Sequence, residues 1–125
     1  MELLSAAGDS VRLDRERLCA LPGQVPEVGA YVPGRVGEGV WLREVLALLG
    51  APPDARYVVA AADGMVSAPA PVDAVGEALL VHGLGGAELP ATQGGPFRLL
   101  APPGEGRTNC ANVKGVAQIR ILPTE

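Results

Sequence analysis

Neither sign of charge forms a block in this sequence, and no apolar stretch is long. The 10 lysines and arginines and 14 aspartates and glutamates leave a net charge of −4 and lie scattered. The basic stripe that neutralises a phosphate backbone is therefore missing, which argues against nucleic acid as a partner. No apolar run approaches the roughly 18 residues of a spanning helix, and Met1-Glu2-Leu3-Leu4 lacks the basic start of a signal peptide. The expectation is a cytoplasmic protein with no membrane partner. Cysteine is scarce: Cys19 and Cys110 are too few and too far apart for a disulfide framework or a paired-cysteine zinc site, and read as two reduced thiols. His82 is the only histidine, which excludes a multi-histidine metal site. It reads as a half-buried strand histidine rather than as half of a Cys-His or Ser-His dyad.

What is present is apolar and well punctuated. Hydrophobic residues make up 48% of the 125 positions and charged residues 19%, too apolar and too weakly charged for a disordered chain. The 17 glycines and 12 prolines fall between apolar runs, as expected of one domain built from many short elements and tight turns. A helical bundle is disfavoured.

Asp14 is placed to cap a short helix through Leu21 that would hold Cys19 and stop at Pro22-Gly23. The stretch Val25 to Val32 is apolar at intervals, but Pro26 limits it to an edge strand at best. Trp41, Val45, Leu48 and Leu49 recur at helical spacing, and Gly50 ends that helix. Tyr57 to Ala62 reads as a buried strand that turns at Asp63-Gly64 into a returning strand, Met65 to Ala68. Pro69, Pro71 and Asp73 lead into a short helical turn. Leu79-Leu80-Val81 and Glu88-Leu89 flank a turn at Gly83 to Gly86, and Phe97 to Leu100 is a further strand. The alternation from Val113 to Ile121 reads as one closing strand with one face in the core. The fold class expected is α+β, mainly β with two or three short helices.

Few constellations suggest chemistry. Gly83 to Ala87 lacks the Gly-Lys-Ser/Thr of a phosphate loop, and the aspartates at 54, 63 and 73 suit turns and helix starts. The segment from Pro102 to Lys114 is richer, gathering small residues, Arg107, Thr108, Asn109, Asn112 and the only lysine, Lys114. Backbone amides of such a loop can approach an oxyanion while Arg107 and Lys114 supply charge. The same composition also fits a solvated loop.

The order of motifs resembles the molybdopterin-binding oxidoreductase domain of the sulfite oxidase family along roughly residues 11 to 122. The matching stretches are Leu18-Cys19-Ala20-Leu21-Pro22, Gly39 through Leu46 with Gly50, Tyr57-Val58-Val59 leading to Ala62-Asp63-Gly64, and Leu79-Leu80. Gly86 through Pro90, Gly94 through Leu99 and Asn112 through Val116 with Ile119 complete the set. The resemblance implies that family's β-dominated α+β fold and a molybdopterin ligand, with Lys114 and Asn112 as pterin contacts and Arg98 in a structural role. It also implies a cysteine thiolate that coordinates molybdenum after the strand matched by Val25 to Val32. Here that region reads Glu27 through Arg35 without cysteine, Cys19 lies in the preceding helix, and Gly115 stands where an aromatic residue follows the lysine.

These departures set the functional expectation. The leading reading is a binding module for a pterin or another small anionic ligand, with Arg107, Asn112 and Lys114 as contacts, no metal expected and no conventional molybdenum redox catalysis. One rival is a molybdenum cofactor oxidoreductase or a subunit of one, its site completed by Cys110 or a partner chain. The other is an assembly module with no small ligand.

Overall fold

The computed structural model describes residues 1–32, 34–50, 54–66, 69–72, 78–100 and 112–122. Strands dominate them, in two sheets with two helices. β1 (Glu2–Leu4) and β2 (Ser10–Arg12) form a hairpin, and α1 (Arg15–Cys19) follows. Asp14 caps α1 as expected, its carboxylate accepting from the Arg17 amide at 2.9 Å. β3 (Gln24–Val25) leads to a single 3-10 turn at Val28–Ala30, and β4 (Glu38–Trp41) runs directly into α2 (Leu42–Leu48). The central and C-terminal strands are β5 (Arg56–Ala61), β6 (Ala70–Pro71), β7 (Leu79–Leu84), β8 (Ala87–Glu88), β9 (Arg98–Leu100), β10 (Asn112–Val113) and β11 (Val116–Leu122).

The first sheet has the order β2-β1-β11-β5-β6, and the second β10-β9-β7-β4-β3 with β8 paired to β7. β1 lies parallel to β11, and β11 is antiparallel to β5, with Ile119 opposite Val59 and Ile121 opposite Tyr57. The main core holds Leu3, Tyr57, Val59, Ile119 and Ile121 of the first sheet with Val40, Leu80, Leu99 and Val113 of the second. Leu18 of α1 and Leu42, Val45 and Leu46 of α2 complete it. A smaller core on the opposite face of the second sheet joins Leu79, Val81 and Leu100 to Val25, Val28, Val32 and Leu89. Successive residues of β7 therefore enter different cores, which is why the sequence there is apolar without alternation.

Three local expectations give way. The edge strand sought from Val25 to Val32 is two residues long and yields to the 3-10 turn, because Glu27 caps the Gly29 amide instead of extending a ladder. The return strand after Asp63-Gly64 is reduced to one bridge, Ala60 to Val66; Ser67 and Ala68 lie outside the described residues. So does the helical turn from Asp73. The closing strand is two strands: β10 belongs to the second sheet and β11 to the first, broken at Lys114-Gly115, where Gly115 has a φ of 62°. Left-handed backbone of that kind favours glycine and redirects the chain. No helix among the described residues is long and apolar enough to cross a membrane.

Candidate functional site

The break between β10 and β11 sits against a glycine pair. Gly94 has a φ of 87°, and its carbonyl accepts from the Gly115 amide at 2.7 Å. A Cβ on Gly94 would lie 2.9 Å from Cδ of Arg98 and 3.1 Å from Cγ of Lys114, so both side chains pack on this bare backbone. A Cβ on Gly95 would collide with the Leu89 carbonyl oxygen. Two amides accepted by the Pro90 carbonyl, from Gln93 and Gly95, each at 2.9 Å, hold the turn in place. The glycines thus allow the lysine at the break between β10 and β11 and the arginine of β9 to converge.

Arg98 is buried, only 6% exposed, on β9 directly opposite Val81 of β7. Its Nη1 donates to the Gln93 carbonyl at 3.2 Å. Burial, and after it the nearby charge of Arg35, pushes its pKa below the ordinary arginine range. An arginine still stays protonated at neutral pH. Two guanidinium groups near enough to repel gain from an anion between them. Around them lies a crevice of about 40 Å³ lined by Gly34, Arg35, Gln93 and Arg98, with Val81 and Leu100 among its apolar walls. That volume admits the oxygens of an anion but not a whole heterocycle, since sites for drug-sized molecules run to roughly 300–1,000 Å³.

A wider cleft of about 480 Å³ opens beside Gly115, lined by Met1, Glu2, Arg12, Pro96, Phe97 and Gln118 among others. Its charges are mixed. Glu2 accepts from the Gln118 amide at 2.9 Å, and the Met1 amine donates to the Leu13 carbonyl at 3.0 Å. The amine's pKa is lowered, first by burial and then by Arg12.

Of the residues expected from sequence, Lys114 is brought to the glycine pair, exposed at the sheet crossing. Asn112 begins β10, its backbone opposite Leu100, a residue of the crevice wall. Arg107 and Cys110 lie outside the described residues. Arg35 carries no role in the motif resemblance, which implies a structural role for Arg98. The available signal was a charged residue inside the apolar strand Phe97-Arg98-Leu99-Leu100, since a buried charge is rare unless it is paired or binds something. His82 is 2% exposed rather than half-buried, and Cys19 lies beside it. Among the described residues, no three His, Cys, Asp or Glu side chains gather as a metal-holding group.

The family model described as oxidoreductase molybdopterin binding domain matches residues 31–125. The match begins after α1 and β3 and includes Arg35, Arg98 and Lys114. Among curated proteins none matches the chain.

Proposed function

Because the chain belongs to the family of oxidoreductase molybdopterin binding domains, we propose that it is a binding module for a pterin or a similar small anionic ligand, whose anionic end is met by Arg98, Arg35 and Lys114. The observation that carries this reading is the convergence of Lys114 and buried Arg98 on Gly94, with Arg35 at the same crevice. Asn112 and Arg107 are the further contacts, Asn112 because its strand borders Leu100 of the crevice wall. The wide cleft is the weaker anion site, since Glu2 accompanies Arg12 there.

The residues fit one part of the family's cofactor better than another. When bound, the family's molybdenum cofactor would bring a pterin with its phosphate and polar heterocycle, together with a metal able to exchange electrons. The guanidinium and ammonium groups suit the phosphate, because charge-assisted hydrogen bonds to anions are roughly twice as strong as neutral ones. The thiolate donor is what does not fit. No cysteine occurs between residues 20 and 109, and Cys19 faces away from the crevice. That follows from β7: Val81, opposite Arg98, points to one face of the second sheet, whereas the next residue, His82, points to the other and meets Cys19. The reading therefore assigns binding, and no conventional molybdenum redox step, to this chain.

Protein made in a host that synthesises the cofactor, then analysed for molybdenum and for fluorescent pterin released on denaturation, separates the alternatives. Pterin without stoichiometric metal is expected. Stoichiometric molybdenum lost in Cys110→Ala would overturn the proposal in favour of an oxidoreductase. Neither pterin nor metal, with no anion binding by the purified chain, would leave an assembly module.

A further inference from the structure

On the other face of the second sheet, α1 ends against β7 and places a thiol beside the buried imidazole. Sγ of Cys19, an exposed residue at the helix terminus, lies 3.8 Å from Nδ1 of His82. On the far side of the ring, Nε2 lies 3.1 Å from Oε1 of Gln24. The orientation of Gln24 is fixed by its own amide nitrogen, which donates to the carbonyls of Leu18 at 2.6 Å and Leu21 at 2.8 Å. With both donors facing carbonyls, the amide oxygen must be the atom that faces His82, and an oxygen accepts only. His82 therefore carries its proton on Nε2. Nδ1 is left as the acceptor, and the Cys19 S–H is the donor that meets it.

The ring's charge state agrees with this geometry. Burial, and next the positive charge of Arg15, lower the pKa of His82, against a smaller opposing effect of Glu38. The ring is thus neutral at pH 7, the form that can take a proton. Arg15 lies one turn before Cys19 on α1, and its Nε is buried without a hydrogen-bond partner among the described residues, against Gly83. Thiol, neutral base and orienting amide form the ordered series of an activated nucleophile, on an exposed residue.

We propose that Cys19 is a site of mixed-disulfide formation with low-molecular-weight disulfides, with His82 as its base and Gln24 as the residue that positions the ring. In the reaction Sγ attacks one sulfur of the small disulfide as its proton passes to Nδ1. A new S–S bond forms to Cys19 and the S–S bond of the reagent breaks. The departing thiolate then takes the proton back from the imidazolium. One disulfide and one thiol enter, and one disulfide and one thiol leave, so no further oxidant is required. This site is independent of the anion crevice, on the opposite face of the sheet.

The test is the rate at which bis(2-hydroxyethyl) disulfide, which is uncharged and does not titrate, modifies Cys19 in a Cys110→Ser background, followed by intact mass. An ordinary thiol with a pKa of about 8.5 reacts roughly tenfold faster per pH unit up to that value. A thiol served by a neutral base reacts at a nearly constant rate between the titration of the base and its own, so a flat profile from about pH 6.5 to 8 is expected. His82→Gln should restore the tenfold slope and slow the reaction at pH 7 by about tenfold or more. Gln24→Leu, which frees the ring to exchange tautomers, should move the profile part of the way toward that slope. A tenfold-per-unit slope in the protein with His82 intact would overturn the proposal, whatever the fate of the variants.

Discussion

Arg98 and Lys114 are two cations from separate segments that come together on one glycine. Arg98 is the buried charge and Lys114 the exposed one, both rest on Gly94, and Arg98 shares its crevice with Arg35. Removing the lysine charge in Lys114→Ala should leave folding intact, because the residue is exposed. It should weaken binding of an anionic pterin by about 1.5 to 3 kcal/mol, the usual range for a hydrogen bond to a charged group. Isothermal calorimetry with pterin-6-carboxylate would read this loss, and Arg12→Ala in the wide cleft should leave the affinity unchanged. His82 allows a different check. Burial holds its folded pKa below the ordinary 6.5, so between those two values the unfolded chain binds more protons than the folded one. Stability from this residue is therefore complete above pH 6.5 and declines as pH falls through the folded value. Thermal unfolding midpoints should drop across that interval, and the drop should flatten in His82→Gln. Lys114 was legible from sequence because it is the only lysine and stands in a recognisable motif. Arg35 was not, because its proximity to Arg98 depends on the turn after Val28–Ala30 meeting β9, a contact between positions 63 residues apart.

At the scale of elements, glycine geometry decides what the site can be. Gly94 is buried with a φ of 87°, and any Cβ there would press on both Arg98 and Lys114. Gly94→Ala should therefore destabilise the fold by roughly 1–3 kcal/mol through strain at that backbone conformation and displace both cations. Chemical denaturation would show the first effect and loss of pterin-6-carboxylate binding the second. α2 offers a contrasting test of the core. Leu46 is 2% exposed in the main core, and Leu46→Ala should cost about 2–5 kcal/mol with no effect on the crevice beyond that of reduced stability. The helices were readable, α1 from its Asp14 cap and α2 from its apolar spacing, with Trp41 proving to be the last residue of β4 rather than the first of the helix. The terminal strand misled for a physical reason. Val113, Ile119 and Ile121 share a parity, as one strand would require, yet Val116 is buried too, and a register shift between Val116 and Gln118 resets the alternation. Parity alone cannot reveal that Gly115 sends the chain from one sheet to the other.

For the whole molecule, the second sheet separates the two proposed sites. One face turns Arg98 toward the cationic crevice, and the other turns His82 toward Cys19, so a change at one site should leave the other intact. The α+β, mainly β fold was readable from many short apolar runs and their punctuation, whereas the two-sheet arrangement required the long-range pairing of β1 with β11 and β9 with β7. That the Glu27 to Arg35 segment holds no cysteine is a matter of residue type alone. That Arg35 and Lys114 both approach Arg98 was not readable, because the three come from separate parts of the chain. The central claim, that these cations form an anion site of the folded chain, is tested most directly by titrating pterin-6-carboxylate fluorescence with the wild-type protein, Lys114→Ala and Arg98→Met, each first shown to be folded. Saturable binding by the wild type, weakened about tenfold or more in each variant, is expected. Equal affinities for all three folded proteins, or no saturable binding by the wild type, would contradict it.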